Sequence, residues 1–272
     1  MRAFLRWALP LALCSLGTLA MAADRLVLTG SSTVAPLAAE LGKRFEQQQG
    51  IRVDVQTGGS SRGVLDARRG LADIGMVSRA LKPEESDLTG TIIARDGIAV
   101  IVHARNPVPA LSAAQIVAIY TGEVRNWQAV GGPDAPITVI NKAQGRSTLE
   151  LFLEHFRLQA PQVRASVVIG DNEQGLKTLI GNPHAIAYVS IGSAEAALAL
   201  GQPIRLLPLE GIAARSEEVA SGRYPLARSL LLVTKGKPST LARRFLDFAL
   251  SPANHDLIRE FHFVPPTRTP AP

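Results

Sequence analysis

The chain has 272 residues, with 29 Lys or Arg against 23 Asp or Glu, so its formal net charge is +6. This mild excess of positive charge favours anionic partners through long-range steering. The basic residues are scattered and only 5% of the chain is aromatic, which argues against nucleic-acid binding. None of the five histidines has the paired spacing of a zinc-binding helix, and the sequence predicts no metal and no cofactor.

The N-terminal segment has the pattern of a secretory signal peptide. Two arginines precede an apolar run from Trp7 to about Leu19, and Ala20-Met21-Ala22 follows as a small-x-small cleavage pattern. The run is too short to span a bilayer comfortably. We therefore expect residues 1–22 to be removed and the mature protein to be periplasmic. The only cysteine, Cys14, lies within this segment, so the mature chain would contain no disulfide.

Downstream of the signal peptide, short runs rich in Val, Ile and Leu alternate with helix-like patterns. This alternation is typical of βα units and predicts parallel sheets. The predicted strands are Leu26–Thr29, Val53–Gln56, Ile74–Met76, Ile98–His103, Ile137–Ile140, Ala185–Val189, Ile204–Leu207 and Leu230–Thr234. The predicted helices are Pro36–Gln48, Gly63–Arg69, Ala113–Tyr120, Leu149–Phe156, Glu173–Ile180, Ala194–Leu200, Thr240–Leu250 and Ala253–Glu260.

The mature length exceeds that of most single domains and suggests two lobes. The predicted fold class is α/β, with a mostly parallel sheet flanked by helices in each lobe. We expect the chain to cross between the lobes near Ile98–His103 and again near Tyr224–Leu230, and two crossings form a hinge. The expected division is residues 23–100 and 227–264 for the first lobe, 101–226 for the second, and 265–272 for a frayed tail.

A glycine and several hydroxyl residues follow three of the predicted strands, each time at the start of a helix. The three loops are Gly30–Thr33, Thr57–Gly63 and Asn141–Thr148. The first amide groups of a helix have no intrahelical acceptor and carry partial positive charge. The loops therefore predict a site for a phosphate or sulfate group, to which Lys142 and Arg146 would add charge-assisted hydrogen bonds.

Each loop also has an ordinary structural explanation. Ser and Thr are common helix N-caps, and Ser147 followed three residues later by Glu150 matches a capping box. Capping alone would explain one such loop, but three in one chain, two of them beside basic residues, favour ligand binding. The chain contains no Gly-x-x-x-x-Gly-Lys-Ser/Thr phosphate loop, so an NTPase is not predicted.

Six stretches spread along the mature chain carry a further signal, namely Thr29–Pro36, Gly58–Gly63, Asp73–Arg79, Asp96–Ala99, Tyr120–Trp127 and Tyr224–Arg228. In these stretches the sequence resembles the periplasmic phosphate-binding proteins that serve ATP-driven importers. The resemblance implies a type II periplasmic-binding-protein fold, in which two lobes close about a hinge and enclose an oxyanion.

The resemblance also implies a set of ligand-binding residues. These are Ser31, Ser32, Thr33, Ser60, Ser61, Ser78, Arg79, Lys142, Gly145, Arg146, Ser147 and Thr148. Lys142 takes the place of an arginine of typical members, and Arg146 the place of a serine. A larger departure is Ser78-Arg79, where familiar phosphate binders have an aspartate that accepts the proton of hydrogen phosphate. Because such a buried acceptor is a strong discriminator, its replacement leaves phosphate and sulfate as alternative ligands.

Two other functions remain open. Residues 59–63 fit the Gly-x-Ser-x-Gly pattern of a serine hydrolase, with Ser61 as nucleophile, His255 or His262 as base and Asp247 as its partner. The upstream oxyanion residues of that family are missing, and we expect no enzyme. The other alternative is a periplasmic anion sensor or adhesive protein of the same fold. Under the main prediction the partners are inorganic phosphate, or a related oxyanion, and an ABC permease, and the protein is a monomer.

Overall fold

The computed structural model describes residues 25–266. The predicted signal peptide, residues 1–22, and residues 267–272 of the predicted tail lie outside this part of the chain. Strands and helices alternate along the described residues. None of their helices combines the length and apolar character that crossing a membrane requires.

The described residues form strands and helices that match the predicted alternation. The strands are β1 (Arg25–Gly30), β2 (Arg52–Thr57), β3 (Ile74–Val77), β4 (Leu88–His103), β5 (Thr138–Lys142), β6 (Val167–Ile169), β7 (Ala185–Ser190), β8 (Ile204–Leu206) and β9 (Ala227–Lys235). The helices are α1 (Ala35–Gln49), α2 (Ser60–Arg69), α3 (Ala113–Thr121), α4 (Ser147–His155), α5 (Asn172–Ile180), α6 (Ile191–Ala199), α7 (Ser216–Ala220), α8 (Thr240–Ala249) and α9 (His255–Glu260).

The longest strand, β4, pairs with different partners along its two halves. Residues Leu88–Gly97 pair with β9, and residues Ile98–His103 pair with β7 and β8, all antiparallel. Only the second half was predicted, because the first half contains Gly90, several polar residues and a register shift between Ile92 and Ala94 that disturb the period-2 pattern. The strand thus runs from one group of elements into the other.

Two large hydrophobic clusters lie on either side of this changeover. One is built from residues between Ile98 and Leu226 and contains the buried rings of Trp127, Tyr120 and Tyr188. The other is built from residues between Leu26 and Ala94, together with residues between Leu230 and Phe263. Each cluster is the core of one lobe, so the protein has two lobes, joined through β4 and β9. We call the lobe that contains β1 the first lobe and the lobe that contains β5 the second lobe.

The parallel strands of each lobe end at the same edge of its sheet. In the first lobe β1 is parallel to β2 and β3, and in the second lobe β5 is parallel to β6 and β7. The whole strand order is β2-β1-β3-β9-β4-β7-β5-β6, with β8 beside β4. In parallel α/β sheets ligands bind in the crevice outside the carboxyl ends of the strands. A ligand site is therefore expected at the loops of these two edges.

Two glycines allow the elements of the first lobe to approach closely at this edge. Gly30 has φ 132°, and a Cβ there would lie 2.3 Å from the carbonyl oxygen of Met76. A Cβ on Gly63 in α2 would lie 2.6 Å from the same oxygen and 2.9 Å from the carbonyl oxygen of Thr29. Only glycine fits at such distances. These contacts hold the start of α2 against the ends of β1 and β3.

Candidate functional site

Polar side chains from both lobes meet where the parallel strands end. From the first lobe come Ser31 and Thr33 after β1, Ser60 after β2 and Ser78 after β3. From the second lobe come Lys142 at the end of β5, Ser147 and Thr148 at the start of α4, and Asn172 at the start of α5. Arg228 of β9 lies at the crossing between the lobes. All of these residues are buried. Buried polar groups need hydrogen-bond partners, and here they are partners of one another.

Four serine hydroxyls form the centre of this cluster. Ser78 Oγ lies 2.6 Å from Ser147 Oγ and 2.9 Å from Ser31 Oγ. Ser60 Oγ donates to Ser147 Oγ over 3.0 Å and accepts from the backbone N–H of Ser78 over 3.1 Å. Three of the serines belong to the first lobe and Ser147 to the second, so the hydroxyls bridge the junction. Hydroxyls can both donate and accept, and a set of four offers several donors to one oxyanion.

Arg228 supplies a buried cation on one side of the hydroxyls. Its Nη1 donates to Thr148 Oγ1 over 2.9 Å, and its Nη2 donates to Thr33 Oγ1 over 3.1 Å. Its Nε and Nη2 both bond Asp96 Oδ2, at 3.0 and 2.8 Å. The other oxygen of Asp96 accepts from the backbone N–H of Gly192 over 3.2 Å. Asp96 therefore orients the guanidinium, and both of its own oxygens are occupied away from the serines.

Lys142 is a second buried cation, with 3% of its surface exposed. Its Nζ donates to the carbonyl oxygen of Asp171 over 2.7 Å and to Asn172 Oδ1 over 3.0 Å. Burial lowers the pKa of Lys142 to about 7; Asp171 opposes this shift, and the charges of Arg228 and Arg146 add to it. Because an opposite charge nearby favours the charged form, an anion in this cluster would raise the pKa of Lys142 again.

Asn172 connects the two sides of the cluster. Its Nδ2 donates to Thr33 Oγ1 of the first lobe and to Ser193 Oγ of the second lobe, each over 3.2 Å. It is the first residue of α5, and this helix follows β6 through Gly170 and Asp171. The β6–α5 junction resembles the three predicted loops in that a glycine leads from a strand into a helix N-terminus, but Asp171 and Asn172 stand there in place of hydroxyl residues.

Two helices direct their N-termini towards the hydroxyl cluster. Helix α2 begins at Ser60 and α4 begins at Ser147, and neither has a side-chain cap on its first amides. The capping box expected from Ser147 and Glu150 is not formed, because Arg146 is the N-cap residue of α4 and the Glu150 carboxylate contacts the first lobe instead. Apart from the Ser61 N–H, which donates to the Gly145 carbonyl oxygen, these N-termini add donors and partial positive charge for an anion.

Several residues of the predicted site lie at the margin of the cluster. Ser32, Gly145 and Arg146 are half-buried and Ser61 is exposed. The Ser61 hydroxyl donates to Glu150 Oε1 over 3.3 Å, and its backbone N–H donates to the carbonyl oxygen of Gly145 over 3.3 Å. Arg79 is buried, but its guanidinium bonds Glu85 and none of the serine hydroxyls. The fold brings seven of the predicted residues together, namely Ser31, Thr33, Ser60, Ser78, Lys142, Ser147 and Thr148.

Three residues of the cluster, Arg228, Asp96 and Asn172, were not predicted from the sequence. Arg228 and Asp96 stand in stretches that carried the family resemblance, but they lie within β9 and β4, whereas the predicted site residues come from loops at strand ends. Asn172 was missed because β6 has three residues and gave no strand signal. The preceding Gly170-Asp171 pair before a helical pattern was the signal that could have found it.

The hydrolase hypothesis assigns His255 or His262 as the base beside Ser61, and neither histidine bonds the Ser61 hydroxyl. Within residues 25–266 the hydroxyl of Ser61 is bonded to Glu150, while His262 lies 3.7 Å from Glu195 on α6. His255 is the first residue of α9 and forms no hydrogen bond with Ser61. The same described residues contain no group of three or more His, Cys, Asp or Glu side chains placed to hold a metal ion.

Two α/β lobes joined by crossing strands, with a buried polar cluster at their junction, define a bilobal solute-binding protein. The chain belongs to the PBP superfamily, whose domain model matches residues 18–253. Its architecture is the two-lobed type II periplasmic-binding-protein fold, as the sequence predicted.

Several proteins similar to this chain carry names that refer to phosphate binding or phosphate transport. A solved structure of a putative phosphate ABC transporter substrate-binding protein with bound phosphate from Clostridium perfringens has a TM-score of 0.82 and 30% identity, covering 90% of this chain and 100% of that one. An ABC-type phosphate transport receptor from Vibrio cholerae has a TM-score of 0.73 and 28% identity, covering 89% and 100%. The phosphate-binding protein PstS of Borreliella burgdorferi is 26% identical over 86% of this chain and 88% of its own length.

Proposed function

We propose that this protein is an exported solute-binding protein that captures phosphate, or a related tetrahedral oxyanion, and delivers it to an ABC importer. One observation carries the proposal: four serine hydroxyls, two uncapped helix N-termini and two buried cations converge between the lobes. Lys142 and Arg228 contribute two buried positive charges, and the carboxylates near them are Asp96, which pairs with Arg228, and Asp171, which lies near Lys142. The serine hydroxyls and the helix N-termini add hydrogen-bond donors and no negative charge, which suits the cluster to an anion.

The chemistry of the cluster favours a ligand that accepts hydrogen bonds. The residues that face the serines are hydroxyls, an amide and two cations, and the Asp96 oxygens are taken by Arg228 and the Gly192 N–H. Hydroxyl oxygens are left to accept the proton of hydrogen phosphate. A sulfate ion, which brings no such proton, meets no unpaired buried carboxylate here. We therefore propose that phosphate is the first ligand and that sulfate discrimination is weaker than in relatives with an aspartate after β3.

Binding is coupled to closure of the two lobes. We propose boundaries between residues 94 and 98 and between residues 226 and 230, because the hydrophobic cluster changes there; the first lies a few residues before the expected 100/101 and the second includes the expected 226/227. The anion first contacts one lobe, and closure then adds the residues of the other and removes water, which strengthens each electrostatic contact. The closed form docks on a permease, and the protein acts as a periplasmic monomer after loss of residues 1–22.

Titration calorimetry tests the proposal directly. The purified protein, stripped of bound anion, is titrated with phosphate, sulfate, molybdate and arsenate. We expect one phosphate per chain and weaker but measurable binding of sulfate. Tight phosphate binding with no heat from sulfate would show that hydroxyl acceptors alone give selectivity. Absence of binding for all four anions would refute the proposal and direct attention to an esterase assay on Ser61→Ala and the unchanged protein.

A further inference from the structure

A group of charged residues lies at the edge of the hydroxyl cluster, in the first lobe. Arg79 follows Ser78 and is 4% exposed, and its two Nη atoms donate to the two oxygens of Glu85 over 2.7 and 2.8 Å. Burial raises the pKa of Glu85, but the hydrogen bonds from Arg79 and from the Lys82 backbone outweigh it and hold that pKa below its usual value. Glu85 is therefore ionised. With Lys82 alongside, the first lobe contributes two cations and one carboxylate.

The second lobe contributes the missing negative charge. Glu150 of α4 places Oε2 2.9 Å from Lys82 Nζ and 3.1 Å from Arg79 Nε, and its Oε1 accepts from Ser61 Oγ over 3.3 Å. The contact between Arg79 Nε and Oε2 does not have the alignment of a hydrogen bond, so it is an attraction between charges. Three residues of the first lobe thus hold one carboxylate of the second.

These contacts lie directly beside the hydroxyl bridge. Arg79 is the neighbour of Ser78, and Glu150 lies one helical turn after Ser147. Ser78 and Ser147 are themselves 2.6 Å apart across the junction. Because both pairs link the segment that follows β3 to α4, a movement of the lobes that separates the two serines must also separate Arg79 from Glu150.

We infer that Glu150 is a closure residue, whose carboxylate balances Arg79 and Lys82 only when the lobes are closed. The inference rests on the proposed function insofar as closure retains an oxyanion. Opening would leave the first lobe with a buried arginine whose second carboxylate partner is gone, so the charges favour the closed form. Arg79 then acts on binding through Glu150 and does not contact the ligand, which differs from the role that the family resemblance implied for it.

The substitution Glu150→Gln tests this inference, because it keeps the shape of the side chain and one acceptor oxygen and removes its charge. Glu154→Gln is the matched control, since Glu154 is exposed, lies one turn further along α4 and forms no ion pair within residues 25–266. Phosphate affinity and dissociation rate are measured by calorimetry and stopped-flow. We expect Glu150→Gln to weaken phosphate binding about tenfold, mostly through faster dissociation, and Glu154→Gln to leave it within about twofold.

Two further measurements complete the test, namely the salt dependence of phosphate binding and the radius of gyration of the anion-free protein. Because Lys82 and Glu150 are partly exposed, salt screens their attraction, so raising the salt concentration should weaken binding more in the unchanged protein than in Glu150→Gln. Small-angle scattering of the anion-free protein should show a larger radius of gyration for Glu150→Gln than for Glu154→Gln. Equal dissociation rates and equal radii for the two variants would overturn the inference. If the unchanged protein binds no phosphate, the proposed function fails, and the scattering comparison alone still decides the role of Glu150.

Discussion

Arg228 and Asp96 form an ion pair of 2.8 Å whose side chains are 1% and 0% exposed. The pair joins β9 to β4 where the two strands cross between the lobes, and the guanidinium extends from it to hydroxyls of both lobes. A buried ion pair contributes little net stability, but the loss of one partner leaves an unpaired buried charge. Asp96 therefore satisfies and orients the buried guanidinium at the junction, so that its Nη1 and Nη2 reach Thr148 and Thr33.

The first prediction concerns the geometry of this cation. Arg228→Lys keeps the charge but loses the fork that reaches Thr148, Thr33 and Asp96 at the same time. We expect phosphate affinity to fall about 100-fold, with the protein still folded. The control is Arg223→Lys, at an exposed arginine whose partner is Glu218. Calorimetry and circular dichroism together check the prediction, and unchanged affinity in Arg228→Lys would remove Arg228 from the site.

The second prediction concerns the hydroxyl of the second lobe. Ser147→Ala removes the group that bridges to Ser78 and Ser60, and hydrogen bonds to a charged ligand are worth about 1.5–3 kcal/mol each. We expect phosphate affinity to fall at least about tenfold by that same conversion, while the melting temperature changes little. Thr178→Ala serves for comparison, because the Thr178 hydroxyl bonds the carbonyl oxygen of Gln174 within its own helix. An affinity equal to that of Thr178→Ala would place the anion elsewhere.

How far the sequence predicted this site can be seen by comparing Ser147 with Arg228. Ser147 begins a helix after a strand and a loop, which is a local pattern with a known use, and the same pattern singled out Ser31 and Ser60, whose hydroxyls lie in one cluster with that of Ser147. Arg228 lies inside a strand, and its role depends on β9 pairing with residues of β4 that are more than 100 positions away in sequence. No local pattern encodes a pairing over that separation.

Glu150 is a residue whose local sequence pattern predicted a contact that the fold does not form. Its spacing from Ser147 matched a capping box, which is a contact within one helix. The fold instead places positive charge from the other lobe within 3.1 Å of its carboxylate, and that charge outcompetes the local hydrogen bond. The element order was predictable because hydrophobic periodicity is local, whereas the partner of a charged side chain at a lobe junction is decided by tertiary packing.

The third prediction concerns close packing at the strand ends. Gly63→Ala places a Cβ 2.6 Å from the carbonyl oxygen of Met76, which is backbone and cannot move aside. We expect a loss of about 2 kcal/mol in the free energy of unfolding and weaker phosphate binding, because Ser60 and Ser78 shift apart. Gly181→Ala is the matched control, since its new Cβ would lie 3.5 Å from its nearest neighbour. Denaturant unfolding checks the pair, and equal stability of the two variants would contradict the packing argument.

The fourth prediction is a pH dependence that originates in Lys142. Its pKa is lowered to about 7, chiefly by burial, so the folded protein binds fewer protons than the unfolded chain between pH 7 and the ordinary lysine range near 10.5. Stability should therefore rise with pH across that window, and the cost of burying the charge is fully present below pH 7. Anion binding has the opposite preference, because only the protonated amine attracts the ligand. Phosphate affinity should be highest below pH 7 and fall above it, with proton uptake on binding near pH 8.

Lys142→Met separates this effect from the ionisation of phosphate itself. The variant has no charge to bury, so we expect it to lose phosphate affinity and to unfold with less dependence on pH between 7 and 10 than the unchanged protein. Any pH dependence of the residual binding then reports phosphate alone. Lys177→Met, at an exposed lysine paired with Glu173, controls for loss of positive charge in general. Calorimetry in two buffers of different ionisation enthalpy measures the proton uptake. If uptake at pH 8 is the same with and without Lys142, that residue keeps one protonation state on binding and does not couple binding to pH.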